Sequence, residues 1–195
     1  MLEYGVGYVN KAFCGANPPY DRCAVSPDLG TIKLTLNSNG TVTFNINLTG
    51  DFKMGQGGFG FGYSGSPLVL ESGPTGWELG AGGTMDGFGQ FMYQLRGPNF
   101  GQDCAGCLSS LTFTVKLANG GQITDLSQFL VASSTDPNKS FFFAMHVWNP
   151  GGTAGAVTGF AGARTPITTP EPASLTLIGA GLLAFGAWAR RHRRG

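Results

Sequence analysis

The chain reads as a mainly β protein: an antiparallel β-sandwich or jelly-roll-like domain followed by a single C-terminal transmembrane helix. Three observations predict this. Several stretches alternate apolar and polar residues with period two, the mark of strands that bury one face. Glycine, 33 of 195 residues, punctuates those stretches, and no long 3.6-residue pattern appears before the tail. The last apolar run, Ala173 to Ala189, carries no charge and ends on an arginine cluster.

The strands follow in order. Ile32, Leu34 and Leu36 face one way, with Thr31, Lys33 and Thr35 opposite. Val42, Phe44, Ile46 and Leu48 repeat the pattern. For both sets to share a face the loop between them needs an odd number of residues. Ser38-Asn39-Gly40 supplies three, with Gly40 suited to the left-handed position of a three-residue hairpin. Leu111, Phe113, Val115 and Leu117 form another such set, as do Phe141, Phe143, Met145 and Val147, and Phe91, Tyr93 and Leu95 a shorter one. Strands at this spacing, separated by Gly-rich turns, predict an antiparallel two-sheet domain over residues 1–163.

Charged residues make up only 12% of the chain, which argues against a nucleic-acid partner. The charge is unevenly placed. Residues 1–169 hold eight basic and ten acidic groups, while Arg190, Arg191, Arg193 and Arg194 crowd the last six positions. Such a split is an address signal more often than a catalytic one.

Four cysteines fall in two local pairs, Cys14 with Cys23 and Cys104 with Cys107. In an exported β-domain an even count reads as structural disulfides, though counting alone also allows cross-pairing. Cys104-Ala-Gly-Cys107 has the spacing of a redox motif or half a zinc site. A redox motif opens a helix, however, and here a strand follows; Cys14-x8-Cys23 is a poor zinc partner. Gly55-Gln-Gly57-Gly-Phe-Gly60 matches GxGxxG formally but lacks the following helix that a dinucleotide site requires.

His146, the only histidine before the tail, is expected at an exposed strand position beside Trp148, on the face opposite Phe143, Met145 and Val147. No nucleophile motif accompanies it. Neither a cofactor nor a metal set is implied. Trp77 and Trp148, with Tyr63, Phe59 and Phe61, lie in Gly-rich surroundings where flat rings could stack on sugars. The alternative is that they fill the core.

The tail is the most specific segment. As a helix, its 17 uncharged residues span about 25 Å, enough for a bilayer core. Trp188 falls at the interface, and the following arginines stay cytoplasmic under the positive-inside rule, which places the rest of the chain outside. Before the helix, Pro170 and Pro172 hold Glu171 in extended backbone without helical hydrogen bonds, a form that a protease cleft can bind. Residues 164–169 read as a spacer.

Pro170-Glu171-Pro172, an apolar stretch and a terminal arginine cluster resemble the PEP-CTERM sorting signal of Gram-negative bacteria, over residues 170–195. The resemblance implies that a membrane protease-transpeptidase, exosortase, recognises Pro170, Glu171 and Pro172 and removes the helix. The chain would be anchored transiently in the inner membrane, then released or attached at the cell surface, in the setting of extracellular polysaccharide. Residues 1–8 have neither a basic start nor an apolar core, so Met1 is expected to lie inside a longer precursor. The expected role is non-enzymatic, with a carbohydrate-binding module as the alternative and a secreted hydrolase third.

Overall fold

A computed structural model describes residues 1–10, 13, 22–25, 28–97, 104, 106–133, 140–149 and 158–164. Its strands are β1 Leu2–Gly5, β2 Tyr8–Asn10, β3 Arg22–Ala24, β4 Gly30–Leu36, β5 Val42–Leu48, β6 Lys53–Phe61, β7 Leu68–Ser72, β8 Glu78–Ala81, β9 Thr84–Met85, β10 Gly89–Gln90, β11 Tyr93–Arg96, β12 Ser110–Leu117, β13 Phe143–Trp148 and β14 Thr158–Ala163. A 3-10 turn, Leu126–Phe129, is capped at Asp125. Five strands pair in the order β1-β4-β5-β12-β7 and seven in the order β3-β2-β14-β13-β6-β11-β8, with β9 and β10 as a separate ribbon. The described pairings are antiparallel.

One core lies between the two sheets, drawing on Ile32, Leu34, Phe44 and Phe113 from the smaller and Phe59, Phe61, Phe143 and Met145 from the larger. Phe44 sits at its centre. Its ring stacks on Phe113 at 4.6 Å and meets Phe61 at 5.0 Å, Phe129 at 5.4 Å and Phe59 at 5.9 Å. Such ring pairs add about 0.5–1.5 kcal/mol each beyond simple burial.

The hairpin forms as its sequence requires. Leu36 pairs with Val42, the Asn37 N–H donates to the Thr41 carbonyl, and Gly40 takes φ +75°. The Thr41 hydroxyl donates to Asn39 Oδ1 and accepts from Asn37 Nδ2, both at 2.8 Å, which satisfies a buried hydroxyl.

Two alternation sets are shorter than their sequence pattern. Phe141 lies outside β13; its N–H donates to Ser133 Oγ and its carbonyl accepts from the Ser133 N–H. Phe91 lies outside β11 and donates its N–H to Gly83. Both rings join Met85, Phe88 and Ala144 in a second apolar cluster, separate from the inter-sheet core. This cluster covers the outer face of the larger sheet at β13 and β14, where Gly162 lies under the Phe88 ring.

The two ends of the molecule are distinct. At one, Met54 and Leu108 bridge the sheets, and the Leu48 N–H bonds the Ser109 carbonyl. At the other lie the 37–41 hairpin, the 3-10 turn, the end of β6 and Ala163. The Ser64 N–H donates to Gln128, and the Tyr63 ring rests on Phe129 at 4.7 Å. Among the described residues no helix is long and apolar enough to cross a membrane, and the expected span Ala173–Ala189 lies outside them.

Candidate functional site

Four places hold the residues singled out by sequence: the outer face of the seven-stranded sheet, the inter-sheet core, the cysteines and the tail. On the first, β6 and β13 pair at Phe59–Met145 and again at Met54–Val147, so residues 55–58 stand opposite His146 alone. The GxGxxG match is therefore a β-bulge. Gly57 and Gly58 take φ +80° and +52°, and a Cβ on Gly58 would lie 1.6 Å from the Leu95 carbonyl oxygen. Only glycine fits there.

The bulge curls over the His146 ring. Nδ1 donates to the Gln56 carbonyl, while the ring stacks on Phe160 at 4.5 Å and 12°. Gln94 Nε2 donates to the Gly57 carbonyl and fixes the bulge from the other side. Burial pushes the His146 pKa below its ordinary 6.5, and the bond to Gln56 works against that shift. The sequence placed His146 on the correct face but exposed, whereas the ring is half-buried between the bulge and Phe160. Nor did the sequence reveal the four-residue bulge above it, three residues longer than the facing strand, whose signal was the broken alternation between Met54 and Phe59.

Trp148 follows two residues later on the same face. It pairs with Lys53, whose Nζ lies 5.6 Å from the ring centroid in a cation–π contact, and both side chains are half-buried. Arg96, at the end of β11 two strands from β13, is exposed and donates from Nη2 to the Ala81 carbonyl at 3.0 Å. Trp77 is different. It is 4% exposed, belongs to the inter-sheet core and has Gly97 against its ring. A ring so placed offers no face to a sugar, and the same holds for Phe59, Phe61 and Tyr63, all buried.

Cys104 and Cys107 are joined in a disulfide with a Cα–Cα separation of 5.3 Å. Cys104 is the one non-glycine residue among those described with a left-handed φ, +47°. Cys23 is disulfide-bonded on β3, and Cys14 lies outside the described residues. No group of three or more His, Cys, Asp or Glu side chains that could hold a metal occurs among the described residues.

Pro170, Glu171, Pro172, Arg190, Arg191, Arg193 and Arg194 also lie outside the described residues. Their order along the chain still has chemical content: a rigid Pro-Glu-Pro element, an uncharged apolar run, then a cationic end. That order marks a protein addressed through its C-terminus. Residues 168–194 match the PEP-CTERM protein-sorting motif, consistent with an exosortase substrate. The motif implies export, sorting to the cell surface and processing by exosortase. No curated protein and no solved structure matches the chain.

Proposed function

We propose that this chain is a non-enzymatic protein of the cell surface or extracellular matrix of a Gram-negative bacterium, working within extracellular polysaccharide. A β-sandwich spanning residues 1–163 is carried by the spacer 164–169 on a transient inner-membrane helix, Ala173–Ala189. The helix is lost when exosortase acts at Pro170-Glu171-Pro172. The observation that carries this reading is the sorting motif over residues 168–194. The arginines beyond the apolar run support the orientation, with the β-domain outside.

Mass spectrometry of the mature C-terminus tests it. The protein is expressed with an export signal in a host that has exosortase and in one that lacks it. A terminus at or near Pro170-Glu171-Pro172 only in the first host is the expected result. An intact Arg194-Gly195 end in both would reduce the tail to a plain anchor.

A second reading, a carbohydrate-binding module, is favoured by Trp148, Lys53 and Arg96 on the outer face of the larger sheet. Aromatic and cationic groups together suit a glycan that offers both apolar ring faces and hydroxyl or carboxylate groups. Binding on a glycan array that disappears in Trp148→Ala, with the thermal midpoint unchanged, would select it. A secreted hydrolase is the third reading, to be chosen only if glycan cleavage is measured and is lost on replacing a single carboxylate.

A further inference from the structure

The exposed apolar side chains of the described residues are concentrated at one end. Leu36 closes β4 before the hairpin, Leu130 follows the 3-10 turn, and Met92 precedes β11; they are 36%, 37% and 52% exposed. Leu36 and Leu130, with Leu2 and Leu126, line a cleft of about 340 Å³. Val131 continues this surface against Gly62 at the end of β6, and Gly62 and Met92 lie one residue beyond the Phe61–Tyr93 pair. Val69, 39% exposed, sits one pair from the same end of β7.

This is also the end from which the chain departs for the tail. Ala163 pairs with Phe143, which pairs in turn with Phe61, so β14 finishes beside the end of β6. Eight residues separate Arg164 from Ala173, where the apolar run begins. Fully extended, that linker reaches about 30 Å. A strand of six residues is itself about 20 Å long, so the opposite end could face the bilayer only with the linker stretched nearly straight.

We propose that this apolar end docks on the bilayer surface while the chain is anchored, holding the domain against the membrane until the tail is cut. The proposal rests on the tail acting as a membrane anchor. Tethering raises the local concentration of bilayer surface to the mM range, so an apolar patch too weak to bind free lipid suffices once anchored. The cleft lining contains no Lys or Arg side chain, and its one charged side chain, Asp125, accepts from the Ser127 N–H at 2.8 Å. The attraction is therefore apolar and insensitive to salt. Cutting the tether removes it, and the protein leaves the membrane.

Methionine footprinting of the full chain tests this without mutation. The chain is reconstituted in vesicles of phosphatidylethanolamine and phosphatidylglycerol, and insertion is checked by flotation. Hydroxyl-radical oxidation is then read by mass spectrometry before and after proteolytic release at the linker. Met54, Met85 and Met145, buried at 0%, 1% and 0% exposure, report that the fold is intact throughout. Met92 is expected to oxidise at least about fivefold more slowly before release, which corresponds to four-fifths of the molecules docked. Equal Met92 rates before and after release, in a chain that floats, overturn the docking. Protection that persists after release, with a dimer by light scattering, assigns the patch to a second copy and overturns it as well. A chain that fails to float overturns the anchor reading and the docking together.

Discussion

The two sheets share one core but treat their outer faces differently. In the five-stranded sheet, β4, β5 and β12 alternate buried and accessible residues along nearly their whole length. The outer face is a row of hydroxyls and amides, with Thr112 donating to Asn45 at 3.0 Å and Ser110 to Asn47 at 2.7 Å. In the seven-stranded sheet, β6 and β13 are buried at consecutive positions, because the β9–β10 ribbon and the Phe141 segment pack over the second face. A sheet face that water covers tolerates side chains, whereas one that another segment covers closely must leave room. Gly60 lies under Met85 and Phe91, and Gly162 under Phe88. The abundance of glycine is thus partly a packing requirement and not only a matter of turns.

This contrast can be broken at its common element. Phe44→Ala removes the ring that joins both sheets and is expected to cost about 3–5 kcal/mol in denaturant unfolding. That is a large share of the total stability of a domain, commonly about 5–15 kcal/mol. The outer faces separate in the next pair of variants. Gly162→Ala places a methyl 2.5 Å from the Phe88 ring and is expected to cost about 1–3 kcal/mol. Thr112→Ala, on the solvated face of the other sheet, is expected to stay within about 0.5 kcal/mol of the parent. Equal costs would mean that the second cluster yields without resistance.

A pH series sharpens the same comparison. His146 is the titrating group of the covered sheet whose pKa is lowered by burial, so the unfolded chain binds its proton more readily than the folded one. Its contribution is fully present above 6.5 and is lost as pH falls through that value toward the lower folded pKa. Chemical denaturation of the parent against His146→Asn at matched pH should show a steeper acid decline in the parent. Parallel curves would refute the burial of the ring.

A small effect of the opposite sign is expected at Tyr4. Its hydroxyl is buried in the inter-sheet core without a hydrogen-bond partner among the described residues, and burial pushes its pKa up to about 12. Tyr4→Phe removes an unsatisfied polar atom while keeping the ring on Phe143 at 4.9 Å, so stability should be unchanged or raised by up to about 1 kcal/mol. A clear loss would reveal a hydrogen bond to the hydroxyl in solution.

Legibility followed the same division between the sheets. The hairpin between β4 and β5 and the strand β12 were readable because only one of their faces is buried, which writes period two into the residues. Phe91 and Phe141 fit period two in sequence yet leave their strands, because an aromatic two positions from a strand gains as much by packing on the outer cluster as by joining the ladder. Trp77 was ambiguous for a related reason: a tryptophan among glycines suits either a stacking surface or a tightly approached core, and Gly97 against its ring belongs to the second.

By itself the sequence determined the mainly β class, the first hairpin and the C-terminal address, since each depends on neighbouring residues and their order. The tail needs no fold to be recognised: its prolines, apolar run and arginines act through backbone restriction, hydropathy and charge. Tertiary structure alone decided which sheet carries a second apolar layer, where residues 55–58 bend over His146, and that Leu36, Leu130 and Met92 gather at the end where β14 finishes. Those features join residues tens of positions apart, and their energies arise from burial and close approach across strands. Such contacts leave no period in the chain and exist only once the sheets are paired.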